Sequence, residues 1–225
     1  MKKSIIALIC MIVTLVFIIV ALIGPWYSMS YKIEGTGISD SEMDYSSTLT
    51  SSSGKNPFTG KEESQSHADA RKEAEDMGSD TGVFDVYDNT LYITIIALIV
   101  AILGLIGILG FVFNFGKPKT MKMIGSIFII LTIILSFVAV FYFMTAFTEE
   151  ANLQTIEGKD AGFWYSESKS QGSAEMTYSA GPGFGWYLML IGAILAIISI
   201  IFVFMDKKSS PMPSNPMQQQ PRPPQ

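Results

Sequence analysis

The sequence predicts a membrane all-α four-helix bundle with a small extracytoplasmic antiparallel β-sheet built from both outer loops. Of the 225 residues, 49% are hydrophobic and only 16% are charged. The apolar residues fall into four long blocks instead of being spread along the chain as in a soluble domain. The two longest connections between the blocks contain stretches in which apolar and polar residues alternate, a pattern typical of strands.

Each apolar block is long enough to cross a bilayer, because a helix needs about 20 residues to span a hydrocarbon layer about 30 Å thick. The predicted spans are residues 5–24, 91–113, 123–147 and 185–205. A cleaved signal peptide is the alternative for the first block, since two lysines precede it. That apolar run is longer than a signal sequence uses, and no small-residue cleavage site follows it.

The distribution of lysine and arginine predicts the orientation of the spans. If both termini are cytoplasmic, the inner segments are residues 1–4, 114–122 and 206–225, and the outer segments are residues 25–90 and 148–184. The inner segments then hold 8 basic residues against one acidic residue, whereas the outer segments hold 7 basic and 19 acidic residues. We therefore predict a multi-pass protein of the cell membrane. So acidic an outer surface excludes nucleic acid as an expected partner.

The first outer segment contains two predicted strands. WYSMSYKI (residues 26–33) alternates apolar and polar residues, and GVFDVYD (residues 82–88) is interpreted as a strand that returns the chain to the membrane. Residues 35–60 are rich in Ser, Thr and Gly and are predicted to form a mobile loop.

A short polar helix is predicted over SHADARKEAEDMG (residues 66–78). Ser66 is the expected N-cap, with Asp69 at the third helical position, and Gly78 is expected just past the last turn. His67, the only histidine, lies in this highly charged stretch and is expected to be solvated.

The sequence of the second outer segment predicts a β-hairpin. FWYSESK (residues 163–169) and AEMTYSA (residues 174–180) flank a turn that contains Gly172. An isolated two-stranded hairpin is only marginally stable in water. We therefore expect one sheet that combines strands of both outer segments and rests on the ends of the helices.

The two inner connections differ in character. Residues 114–122 form so short a turn that the second and third spans must be antiparallel neighbours. Residues 206–225 are rich in Pro and Gln and are predicted to form a disordered cytoplasmic tail.

All three tryptophans are followed directly by tyrosine, which suggests a shared use of the pair. The first and last pairs lie where a span meets an outer segment, as aromatic-belt residues do. The predicted membrane anchors are Trp26, Tyr27, Trp186 and Tyr187. The middle pair, Trp164 and Tyr165, lies well beyond the third span and is expected to serve sheet packing or partner recognition.

Small residues at helical spacing predict where the spans contact one another. The predicted packing positions are Ala97, Ala101 and Gly104 on the second span, and Gly192 and Ala196 on the fourth. The same positions could instead bind a second copy or another membrane protein.

The sequence contains no pattern typical of a catalytic, cofactor or metal site. The four blocks lack the charged residues and histidines that proton relays and ion pathways need inside a membrane. Cys10, the only cysteine, lies inside the first span, so no disulfide is expected. Asp40, Glu42 and Asp44 have the spacing that begins a calcium loop, but Ser51 occupies the twelfth position, where a Glu belongs. We expect no enzyme activity, no cofactor and no metal.

Four spans, a longer first outer segment, a very short inner turn and strand-like outer segments together resemble the claudin and peripheral-myelin-protein type of tetraspan protein. That resemblance implies a small antiparallel sheet over a four-helix bundle, and a role in cell contact, barrier formation or assembly with other membrane proteins. The family motif is a Trp, then Gly-Leu-Trp, then two cysteines in the first outer segment. Trp26 matches its first position, whereas Gly-Leu-Trp and the cysteine pair are absent.

These observations predict a non-catalytic integral membrane protein. Its expected partners are the lipid bilayer and, through the outer sheet, other membrane or cell-surface proteins or a second copy of itself. The alternative is a small-ligand or signal sensor with an aromatic-lined outer cleft that includes Trp164 or Trp186. A passive channel lined by Ser and Thr is a further alternative.

Overall fold

The computed structural model describes residues 3–35, 41–55, 60–151, 162–171 and 174–206. The tail beyond residue 206, Asp40 and the predicted hairpin turn at Gly172 lie outside the described residues. In chain order the elements are α1 (Lys3–Ile23), β1 (Tyr27–Gly35), β2 (Ser41–Ser47), β3 (Ser51–Lys55), β4 (Glu62–Ser66), α2 (His67–Asp76), α3 (Gly82–Phe113), α4 (Pro118–Glu150), β5 (Tyr165–Gln171), β6 (Ala174–Pro182) and α5 (Phe184–Met205).

Four of the five described helices, α1, α3, α4 and α5, are long and apolar enough to cross a membrane. They imply a lipid bilayer environment and confirm the prediction of four spans. Each packs against two neighbours, in the order α1, α3, α4, α5 and back to α1. At the end near the chain termini, Asp206 accepts a hydrogen bond from the Ser4 amide (2.9 Å), and Lys122 donates to the Asp206 carbonyl (3.0 Å). These two contacts hold α1, α4 and α5 together.

The stretch GVFDVYD is the first part of α3 and not a strand, so this prediction is wrong. The buried residues Val86, Tyr87, Thr90 and Thr94 recur at spacings of one, three and four, which place them on one side of a helix. The Thr90 and Thr94 hydroxyls donate to the carbonyls one turn earlier, at 2.7 and 2.8 Å. Their hydrogen bonds are therefore satisfied within the helix.

The six strands form one antiparallel sheet in the order β4-β3-β2-β1-β6-β5. Near its centre, Tyr31 of β1 opposes Met43 of β2 on one side and Tyr178 of β6 on the other. The sheet thus combines strands from both long connections, as predicted, and β5 and β6 form the predicted hairpin. The prediction of a mobile loop over residues 35–60 is wrong where β2 and β3 form.

The short helix α2 begins and ends as predicted. The Ser66 hydroxyl accepts a hydrogen bond from the Asp69 amide (3.1 Å), which satisfies one of the unpaired donors of the first turn. Gly78 follows the helix with φ +67°, a conformation that glycine adopts without a steric penalty.

Candidate interaction surface

Successive side chains along each strand point to opposite sides, so the sheet has two chemically different faces. The first, which we call the serine face, carries Ser28, Ser30, Ser46, Ser53, Ser166, Ser168, Thr177 and Ser179. Ser46 stands between Ser28 and Ser53 in a continuous row across three strands. The Ser46 and Ser53 hydroxyls lie 3.1 Å apart, so neighbouring strands are linked by side chains as well as by backbone.

The opposite side, which we call the tyrosine–methionine face, carries Met29, Tyr31, Ile33, Met43, Tyr45, Tyr165, Met176 and Tyr178. The Tyr31 hydroxyl contacts the Met176 sulfur (3.3 Å), and the Tyr178 hydroxyl contacts the Met29 sulfur (3.1 Å). All eight side chains are at least partly exposed, and Met43 is 39% exposed. Three of the eight, Met29, Tyr165 and Tyr178, also pack against the buried core of the protein.

A cluster of aromatic side chains fixes this sheet to the helices. The ring of Tyr27, the first residue of β1, packs 4.5 Å from Phe147 and 5.5 Å from Phe163. Trp26 packs edge-on against Phe143 at 5.2 Å. Burial raises the pKa of Tyr27, whose enclosed hydroxyl has no hydrogen-bond partner among the described residues, so this group stays neutral. The aromatic cluster therefore positions β1, and with it both faces of the sheet.

His67 lies at a second contact between the sheet and the helices. It is buried, with 5% of its surface exposed. Its Nε2 atom lies 3.1 Å from the Ser47 hydroxyl and 3.0 Å from the Ser52 hydroxyl, and its ring is 4.2 Å from the Tyr87 ring. The expectation that His67 is solvated is wrong, because the serine-rich stretch folds into β2 and β3 and covers it.

The burial of His67 predicts a loss of stability in mild acid. Burial lowers the pKa of His67, and Arg71 acts in the same direction, while Asp88 and the Leu49 backbone oppose them. The unfolded chain therefore binds a proton near pH 6.5 that the folded protein does not. We expect the free energy of unfolding to fall as the pH drops below about 6.5, until the folded-state pKa is reached.

Thermal unfolding of the detergent-solubilised chain between pH 8 and pH 5 measures this effect. Comparison with His67→Gln isolates the histidine from carboxylates that titrate at lower pH. An identical pH dependence in both proteins would contradict the assignment.

The predicted membrane anchors divide into three buried side chains and one exposed one. Trp26, Tyr27 and Trp186 are 0%, 1% and 5% exposed, whereas Tyr187 is 42% exposed. The Trp26 indole donates to the Ala21 carbonyl (2.7 Å), and the Trp186 indole donates to the carbonyl of Val140 (3.1 Å). An aromatic-belt residue has to face lipid. The structure therefore places the first three in the protein core and only Tyr187 on the surface.

The two residues of the middle Trp-Tyr pair, Trp164 and Tyr165, lie in different surroundings. Tyr165 is the first residue of β5 and belongs to the tyrosine–methionine face. Trp164 is 53% exposed, and its indole donates to the Tyr187 hydroxyl at 3.3 Å. The fold thus brings Trp164 beside the last Trp-Tyr pair, a juxtaposition that no sequence signal indicates.

The five predicted packing positions, Ala97, Ala101, Gly104, Gly192 and Ala196, are all buried. Gly104 faces Ile129 of α4, and Gly192 faces Phe17 and Thr14 of α1. A much closer approach joins Gly107 to Gly125, where a Cβ added to Gly107 would lie 2.5 Å from the Gly125 Cα. The small residues predicted on α3 lie on the side that packs against α4, but neither Gly107 nor its partner Gly125 was among the predicted positions.

The serine face contains an open depression of about 380 Å³ between β2, β3 and β4. It is lined by Asp44, Ser46, Ser53, Gly54, Lys55, Gly60 and Glu62. Small-molecule sites are lined mainly by apolar and aromatic groups, whereas serine, glycine and charged residues line this one. Within the described ranges, no group of three or more His, Cys, Asp or Glu side chains could hold a metal ion.

No protein-family model matches this chain, and no curated protein matches it either. Four membrane-length helices and a small antiparallel sheet fit a tetraspan shape, and no family match supports the resemblance to claudins in particular. Function has to be inferred from the surface itself.

Proposed function

We propose that this protein is a non-catalytic multi-pass protein of the cell membrane that binds another membrane or cell-surface protein, or a second copy of itself, through its sheet. It serves as a structural, adhesion or accessory subunit, with both termini cytoplasmic and the sheet on the outer side. The tyrosine–methionine face is the observation that carries this proposal.

The composition of that face supports protein binding. Tyr and Met are enriched in protein interfaces, where Tyr supplies a large contact area and Met adapts to irregular partners. Contacts between hydroxyls and sulfurs order the side chains, and the aromatic cluster fixes the strand at its base. A surface ordered in advance loses less conformational entropy when it binds.

The distribution of basic residues supports the proposed orientation, with both termini cytoplasmic and the sheet on the outer side. Lys3, Lys117, Lys119 and Lys122 all lie at the ends of α1, α3 and α4 that are opposite the sheet. Basic residues at one end of a bundle mark the cytoplasmic side. The strongly acidic connections lie at the other end, where the strands form.

Two adjacent residues of β1 provide a matched test, because Tyr31 belongs to the tyrosine–methionine face and Ser30 to the serine face. With tagged protein purified from native membranes in a mild detergent, we expect Tyr31→Glu to weaken binding of the partner about 30-fold, corresponding to about 2 kcal/mol for an interface hot spot. Ser30→Glu adds the same charge on the other face and should leave binding unchanged. A wild-type chain that always purifies alone as a monomer, or equal losses in both variants, would overturn the proposal.

A further inference from the structure

The exposed residues of α5 form a single stripe along the helix. The stripe is 36 to 61% exposed and consists of Phe184, Tyr187, Ile191, Ile194, Ile198, Ile201, Phe204 and Met205. Apolar residues repeated every three or four positions and pointing out of a membrane bundle face lipid. The 22 residues of α5 extend about 33 Å, close to the thickness of about 30 Å of a hydrocarbon layer. Phe184 and Tyr187, at the first turn, therefore lie at one membrane boundary.

Trp164 extends this stripe beyond the helix. Its indole N–H donates to the Tyr187 hydroxyl (3.3 Å), and its ring lies 5.6 Å from that of Trp186. Gly181 of the neighbouring strand sits beneath the indole, where an added Cβ would come within 3.4 Å of Cδ1. The ring is thus held in place against the sheet while 53% of its surface remains exposed.

The described chain segments that carry these rings are uncharged. Residues 162–166 and 180–188 contain no Asp, Glu, Lys, Arg or His, and the first charge along β5 is Glu167. Large rings on uncharged segments beside a lipid-facing helix, two of them with one polar atom, have the chemistry favoured in the headgroup region of a bilayer.

We propose that Trp164, Tyr187 and Phe184 form an interface patch that lies in the lipid headgroup region and tethers the β5–β6 hairpin to the bilayer surface. Trp164 acts in this patch, whereas Trp26 and Trp186 act in the core. The patch contacts lipid and is separate from the tyrosine–methionine face.

Spin labelling measures the depth of this patch directly. In a Cys10→Ala background, single cysteines in the variants Ser168→Cys, Trp164→Cys and Ile194→Cys carry a nitroxide in phosphatidylcholine vesicles. Ser168 lies on the serine face of β5, four residues beyond Trp164, and Ile194 lies on the exposed stripe of α5. We expect collisions with oxygen to dominate at 194 and collisions with an aqueous nickel chelate to dominate at 168, with position 164 between the two. A label at 164 as accessible to nickel as that at 168, or shielded from both reagents, would overturn the proposal.

Tryptophan fluorescence provides a second measurement that does not depend on labelling. Phosphatidylcholine brominated near the headgroup should quench a component of the emission in the wild-type chain that Trp164→Phe lacks, because the other two indoles are buried. Equal quenching in the two proteins would contradict the proposal, even if the labelled Trp164→Cys variant failed to fold.

Discussion

Trp26→Ala is expected to lower the free energy of unfolding by about 4 kcal/mol, whereas Trp164→Ala should lower it by only about 1 kcal/mol. Trp26 is fully buried, packs edge-on against Phe143 and donates to the Ala21 carbonyl. Its removal leaves a large cavity at the point where β1 joins the bundle, and leaves one carbonyl without its indole donor. Removal of the Trp164 ring loses the hydrogen bond to Tyr187 and the contact with Trp186, but this side chain is 53% exposed and leaves no buried cavity.

Unfolding of the two variants by denaturant in the same detergent gives the comparison. Trp26→Phe is the matched control, since it retains most of the ring and loses the hydrogen bond, at a cost of about 1 kcal/mol. Equal destabilisation by the two alanine variants would contradict the division of the tryptophans into core and surface residues.

The second large effect is expected at the crossing of α3 and α4, where Gly107→Ala should destabilise the protein by about 3 kcal/mol. Because the nearest atoms are the Gly125 Cα and amide nitrogen at 2.5 and 2.6 Å, the obstacle is backbone and the helices have to separate. Separation exposes the buried faces of both helices along their length.

Gly104→Ala is the control, because it makes the same change one turn away. There the nearest atom is the Ile129 amide nitrogen at 3.4 Å, an ordinary contact, so this variant should be neutral or slightly stabilising given the helix propensity of alanine. Folded yield and unfolding midpoint in detergent distinguish the two variants. A Gly107→Ala protein as stable as Gly104→Ala would show that the helices do not meet as closely as described.

The sequence predicted the elements whose physical signal is local. The four spans are long apolar runs, α2 has an N-cap at Ser66 and a glycine at position 78, and the β5–β6 hairpin alternates around a turn. By contrast, β2 and β3 are almost devoid of apolar residues, and their stability comes from pairing with β1 and from contacts between serine hydroxyls. Such stabilisation depends on partners distant in the sequence, so composition alone suggested a loop.

The candidate surface was only partly visible in the sequence. Alternation in β1 identified Tyr31 and Ile33 as one face of a strand, but the partners that complete the face, Met43 and Met176, depend on strand register. The burial of His67 and the pairing of Trp164 with Tyr187 likewise result from contacts between distant segments. Residue type indicated that the tryptophans matter, while only their tertiary positions separate core from surface.

Photocrosslinking in intact cells shows whether the tyrosine–methionine face contacts another protein chain, with benzoylphenylalanine placed at position 31 or at position 30. We expect a covalent adduct with a second protein chain from position 31, on the tyrosine–methionine face, and none from position 30, on the serine face. An adduct formed equally from both positions, or none from position 31 in a folded and correctly inserted protein, would contradict this expectation.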